Sequence, residues 1–347
     1  MLVAYYRRVL AILMTIVVIF TFAGCKTESE SKVQKESEES EDIQIGLSID
    51  SFLIERWARE RDLFVSKAQE LGAQVNVQNA NGEIEAQIKQ LRYFIDKKVD
   101  VIVVVAIDDL ALKDVVADAK KAGIKIIAYD RPLRESNADL YLSVDNEKVG
   151  ELMATYIKKK IGNKGTIIQI KGSPTDYNVQ MVQAGFEKII NTTNIKIDYA
   201  EYSEGWVAEN AFSITNGYLK TGRIPSAIMC GNDTLAAQAI RALNENRLGG
   251  KVCVVGQDAD LEACQRIVEG TQYMTVFKPV EKLAQKAAKR AVDMAKGIPL
   301  GLKETFNDGI YDVPYEKLDP VAVTKENMDE IITGKYHQRS EIYLNMK

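Results

Sequence analysis

The chain has 347 residues, and its 45 Lys and Arg against 49 Asp and Glu leave a formal net charge of −4. It therefore carries no charge excess that would point to a nucleic-acid partner. A single histidine, His337, excludes a multi-histidine metal site and a histidine-based catalytic triad, and four cysteines are too few for a disulfide scaffold.

Arg7 and Arg8 precede an apolar run from Val9 to Phe22 that ends in Ala23-Gly24-Cys25. Basic residues, an apolar stretch and small residues before a cleavage point describe an export signal over residues 1–25. Cys25 stands where a bacterial lipobox carries its acylated cysteine, although Phe22 replaces the usual Leu. The alternative is an uncleaved anchor, for which the run is shorter than the ~20 residues of a spanning helix. Either reading places the body on the extracellular face of the cytoplasmic membrane or in the periplasm. Residues 26–42 are Ser, Glu, Lys and Gln with almost nothing apolar. Such a segment cannot bury enough surface to offset its ordering entropy and is expected to be a tether.

Strand-length apolar runs then alternate with helix-period stretches. Ile43–Ile49 is a strand, about Ile54–Leu71 a helix and Ala73–Val77 a strand. Ile84, Ile88, Leu91 and Ile95 share one helix face. Val101–Val105 is apolar on both faces, as a buried parallel strand requires. Leu112–Lys121 is helical, and Ile124–Ala128 is a strand. The order restarts at Gly165–Ile170, with a helix marked by Val182, Phe186 and Ile189, then the strand Ile195–Tyr199. A helix runs through Ala208 to Tyr218, and strands follow at Ser226–Cys230 and Val252–Val255. The alternation predicts an α/β fold of two similar lobes, each a parallel sheet flanked by helices, with a cleft between them. Ligands of such sheets bind at the carboxyl ends of the strands.

The residues at those ends are Asp50, Asp108, Asp130-Arg131, 173–178, 201–210, Asn232-Asp233 and Gln257-Asp258, with Trp57 and Trp206 nearby. Carboxylates, amides and a guanidinium offer the mixed donors and acceptors that sugar hydroxyls need, and flat indoles suit the C–H faces of a sugar ring. Each residue also has a plain structural reading. Asp233 precedes a helix and suits an N-cap. Asp130-Arg131-Pro132 suits a turn, and Trp57 suits packing against a lobe. Trp206 and Asn210, four apart, suit one buried helix face. Cys230, Cys253 and Cys264 lie in apolar runs and read as inert buried thiols. The chain has no G-x-G-x-x-G after a strand, no P-loop and no G-x-S-x-G elbow, so no nucleotide cofactor and no hydrolase nucleophile are indicated.

From about Ile43 to Lys325 the chain resembles the D-xylose-binding proteins of bacterial ABC transporters, in the type I periplasmic-binding-protein class. The resemblance rests on Ile54-Glu55-Arg56-Trp57, Asn79-Ala80-Asn81-Gly82, Ala128-Tyr129-Asp130-Arg131, the stretch 145–151, Gly172–Asn178, Gly205–Asn210, Asn232-Asp233, Gly256–Asp260 and Thr275–Pro279. It implies two Rossmann-like lobes joined by a three-segment hinge, 43–144 with 279–305 and 145–278 with 306–337. Crossings are expected near 143–145, 275–278 and 306–308. It further implies sugar hydroxyls bound by Arg56, Arg131, Asp176, Asn178, Asn210, Asp233 and Lys278, and apolar walls from Trp57 and Trp206. Asp130 would orient Arg131 or touch the sugar, and Asp258 would contribute in second rank. Tyr177 and Gly231 depart from the family pattern, where smaller or amide residues and Ser or Ala are usual. The expected role is capture of D-xylose or a related sugar for an ABC permease, without enzymatic activity, cofactor or metal. The alternatives are signalling to a membrane histidine kinase and, more remotely, an exported glycosidase.

Overall fold

The computed structural model describes residues 43–345. The export segment, Cys25 and the tether lie outside the described residues. Among the described residues no helix is long and apolar enough to cross a membrane.

The first lobe begins with β1 (Ile43–Ile49), α1 (Arg56–Glu70), β2 (Ala73–Asn79), α2 (Ile84–Asp96), β3 (Val101–Val104), α3 (Lys113–Lys121), β4 (Lys125–Tyr129) and β5 (Leu140–Val144). β3 is wholly buried because helices cover both faces of the sheet. In α1 the buried Trp57, Glu60, Phe64 and Ala68 recur every three or four residues, giving one inward stripe. Gly72, at φ 84°, ends that helix in the left-handed conformation that a side chain would resist.

The chain then leaves the sheet through Asp145, whose carboxylate caps α4 (Asn146–Ile161) by accepting from Lys148 N at 2.9 Å. The second lobe continues with β6 (Lys164–Lys171), α5 (Tyr177–Ile190), β7 (Asn194–Tyr202), α6 (Ala208–Leu219), β8 (Ala227–Cys230), α7 (Asp233–Glu245), β9 (Cys253–Gln257), α8 (Leu261–Glu269) and β10 (Met274–Phe277). α4 and α5 pack backbone to backbone. A Cβ on Gly150 would lie 1.9 Å from Val182 O, and one on Gly185 would lie 1.8 Å from Glu147 O.

After Lys278-Pro279 the chain returns to the first lobe as α9 (Val280–Ala295). Its Leu283, Ala284, Ala287, Ala288 and Ala291 pack into one core with Ile45, Trp57 and Phe64. The segments β11 (Thr305–Asn307), β12 (Asp312–Leu318) and β13 (Val321–Val323) follow, then the short helices α10 (Met328–Ile331) and α11 (Arg339–Ile342).

The first sheet has the order β11-β12-β5-β4-β3-β1-β2 and the second β13-β10-β9-β8-β6-β7. The expectation that 306–337 belongs to the second lobe is thereby corrected for its first part, 306–318. β12 pairs in parallel with β5, from Tyr315 opposite Tyr141 to Leu318 opposite Val144. β13 pairs with β10 in the other sheet. The third crossing therefore falls at Asp319-Pro320, a dozen residues later than the expected 306–308.

Candidate functional site

Parallel strands place their carboxyl ends along one edge of each sheet, and the two edges face each other. Arg56 and Trp57 open α1 after β1. Asp130 and Arg131 follow β4, Asp176 and Asn178 start α5 after β6, and Trp206 follows β7. Asp258 and Lys278 follow β9 and β10. All nine line one cavity.

Ion pairs hold the lobes together across this cavity. Within the first lobe, Arg131 Nη1 donates to Asp50 Oδ2 at 2.7 Å and to Ala106 O at 2.8 Å. Its Nε lies 2.9 Å from Asp176 Oδ2 in the second lobe. Arg56 pairs with Asp130, lies 3.0 Å from Glu60 Oε1 and reaches Asp258 Oδ1 across the cleft at 3.8 Å. Lys278 Nζ sits 3.0 Å from that same Oδ1. Asn178 Nδ2 donates to Asp130 O at 3.0 Å, and its Oδ1 accepts from Tyr141 OH at 3.1 Å. The described conformation is a closed one, with the charged groups out of water.

The electrostatics follow from this burial. Desolvation alone would push the Asp130 carboxyl up. The cations of Arg56, Lys278 and Arg131 outweigh it and hold the group below the usual carboxylate range, so Asp130 is an anionic acceptor at neutral pH. Burial pushes Glu60 up to about 7 against the pull of Arg56, and Glu60 accepts from the Tyr129 hydroxyl behind the cavity. The Arg56 guanidinium also lies 4.0 Å from the centroid of the Trp57 ring. Asp130 at φ 62°, Trp206 at φ 60° and Asp258 at φ 101° all occupy the left-handed half of backbone space. Non-glycine residues go there at a cost, and such positions concentrate at functional sites. Alone, 130–132 read better as a turn; in the structure Asp130 and Arg131 both line the cavity.

Room for Trp206 is made by two glycines. A Cβ on Gly172 would lie 2.1 Å from the indole, and one on Gly231 would lie 2.7 Å from Gly172 N and 3.2 Å from the indole. The departure at Gly231 thus has a steric account. Tyr177 turns away from the cavity to the Phe306 ring and the Arg134 guanidinium.

Two expected residues do not join the cavity. Asn210 is half-exposed on α6 and donates to Ser203 Oγ at 3.3 Å. Asp233 is fully buried within the second lobe, where its carboxyl accepts from Thr275 Oγ1 at 2.7 Å, Gln272 Nε2 at 2.7 Å and Asp260 N at 3.2 Å. It is not the helix cap either, because Asn232 fills that role by accepting from Leu235 N. Conversely, Gln169, Lys171, Gln183 and Met229 line the cavity although the sequence pattern did not mark them, and Gln257, one of the strand-end residues, lines it too although no contact was assigned to it. A clue to one of them lay in the strand Ile167-Ile168-Gln169-Ile170, where a lone amide interrupts an apolar run.

Two α/β lobes crossed three times by the chain and closed on a polar, solvent-excluding cavity define a clamshell ligand-binding protein. The periplasmic binding protein domain model matches residues 45–299, and the chain belongs to that family. It is 41% identical to the D-xylose-binding periplasmic protein of Haemophilus influenzae over 94% of this chain and 98% of that one. Identity to the Escherichia coli protein of the same name is 40%, over 87% and 93%. An ABC transporter solute-binding protein from Clostridium phytofermentans, solved with bound beta-D-glucose, superposes with a TM-score of 0.79 at 23% identity, covering 86% of this chain and 99% of that one, and shares the fold. These relatives are binding proteins, and the glycosidase alternative is set aside.

Proposed function

We propose that this chain captures D-xylose, or a monosaccharide close to it, and delivers it to an ABC permease. The observation that carries the reading is the enclosed cavity, in which Arg56, Trp57, Asp130, Arg131, Asp176, Asn178, Trp206, Asp258 and Lys278 converge from both lobes. Buried charged donors and acceptors fix hydroxyls by direction, and indoles supply apolar surface for the ring. The two relatives named for D-xylose support the choice of sugar. Closure of both lobes on the ligand would let the occupied form be distinguished from the empty one. The basic, apolar and small-residue pattern ending at Cys25 supports export and lipid tethering.

Titration calorimetry tests the reading. D-xylose should bind with a dissociation constant of about 1 μM or tighter, near −8 kcal/mol, and ribose and galactose much more weakly. A clear preference for a hexose, or no binding of any monosaccharide, would refute it.

A further inference from the structure

Most charged groups around the cavity are already matched to one another: Arg131 to Asp50 and Asp176, Lys278 to Asp258, and Asp130 to Arg56. Two amides on the floor of the second lobe are different. Gln169, 1% exposed, sits in β6 opposite Met229 of the neighbouring strand. Gln257, 4% exposed, is the last residue of β9. Both line the cavity. Gln257 Nε2 is committed to the Gly231 carbonyl, which leaves its Oε1 without a partner, and Gln169 Nε2 has none either. The floor thus presents an unmet amide donor and an unmet carbonyl acceptor, both deeply buried, beside the unmet indole N–H groups of Trp57 and Trp206 in the cavity lining. Native interiors rarely leave such groups unpaired without a ligand or water to meet them.

The pairing of opposite demands limits what can sit there. A ligand bearing only acceptors would leave Oε1 unmet, one bearing only donors would leave Nε2 unmet, and an apolar one would leave both unmet. A hydroxyl both accepts and donates, so hydroxyl groups of a neutral polyol answer both. We infer that Gln169 and Gln257 are specificity-determining sugar contacts, Gln169 Nε2 donating to a hydroxyl oxygen and Gln257 Oε1 accepting a hydroxyl proton. This rests on the sugar-capture reading and adds to its ligand set two residues from the strands themselves rather than from the loops beyond them.

The test is calorimetry with D-xylose on the full chain and on Gln169→Met and Gln257→Met, each paired with thermal melting of the sugar-free protein. Met matches the length of Gln without its amide. Each variant should bind about three- to tenfold more weakly, the loss of one neutral hydrogen bond. The sugar-free melting point of Gln169→Met should hold or rise, because an unpartnered buried donor is removed. A structural amide would instead lower it. Among 2-, 3- and 4-deoxyxylose, one should bind wild type and Gln169→Met equally, which identifies the hydroxyl contacted. Xylose affinity in both variants within 1.5-fold of wild type overturns the inference and assigns the amides to bound water. If wild type binds another monosaccharide instead, the same variants are judged with that sugar. If it binds none, the capture reading fails and this inference falls with it.

Discussion

Asp176 joins the two lobes, and replacing it with Asn isolates what that junction contributes. Its Oδ2 lies 2.9 Å from Arg131 Nε, and the two side chains are only 4% and 5% exposed. Its Oδ1 also accepts from Asn178 N at 3.0 Å at the start of α5. Asn retains the size and that acceptor, so the helix start survives while the charge is lost. Arg131 is not stranded, because Asp50 and the Ala106 carbonyl still hold it inside its own lobe. A hydrogen bond to a charged group contributes about 1.5–3 kcal/mol. At tenfold per 1.4 kcal/mol, sugar affinity should therefore fall roughly tenfold to 150-fold. An interlobe pair is lost whenever the lobes separate, whereas pairs within a lobe persist until it unfolds. The sugar-free melting midpoint should accordingly stay within about 2–4 °C of wild type, the shift that 1 kcal/mol causes in a domain of this size. Calorimetric titration and scanning calorimetry on the same preparation measure both quantities. Affinity within twofold of wild type would refute the reasoning. So would a loss of affinity matched by an equal loss of sugar-free stability, since Asp176 would then be a folding residue.

Asp233→Asn removes a carboxyl that burial pushes up to about 7 from 3.8. With the folded value above the unfolded one, the stability linked to this group is complete below about pH 4 and is lost as pH rises through about 7. Melting from pH 4 to 8 should be lower but flatter in the variant, at unchanged sugar affinity; a loss of affinity would return Asp233 to the ligand set. Gly172→Ala places a Cβ against the Trp206 indole. The ring should be displaced, with sugar affinity reduced about tenfold, from a strain of roughly 1–3 kcal/mol. Tryptophan emission should shift to the red, and an unshifted spectrum with wild-type affinity would contradict the packing described.

Local pattern carried a large part of this protein. Apolar runs such as Val101–Val105 read as buried strands because a sheet covered on both faces leaves no polar side. Strand–helix alternation then dictates parallel pairing, and parallel pairing gathers the strand ends. That is why Asp130, Arg131 and Asp176 could be grouped from the pattern alone, whereas Arg56 and Lys278 entered only through the family resemblance. Partner choice is not a local property. β12 carries Asp312, Pro314, Glu316 and Lys317, and nothing in that run says that it adds to the first sheet beside β5. Its place is set by an edge left open by a strand 170 residues earlier, as Tyr315 opposite Tyr141 shows, a difference of 174 in number. Side-chain direction at a helix start is equally tertiary. Asp176 and Asp233 both follow a strand and stand at the beginning of a helix. One carboxyl meets Arg131 across the cleft, and the other turns inward to Thr275 and Gln272 because those donors lie within its reach. The sequence determined which residues reach the strand ends; packing within and between the lobes decided which of them face the cavity.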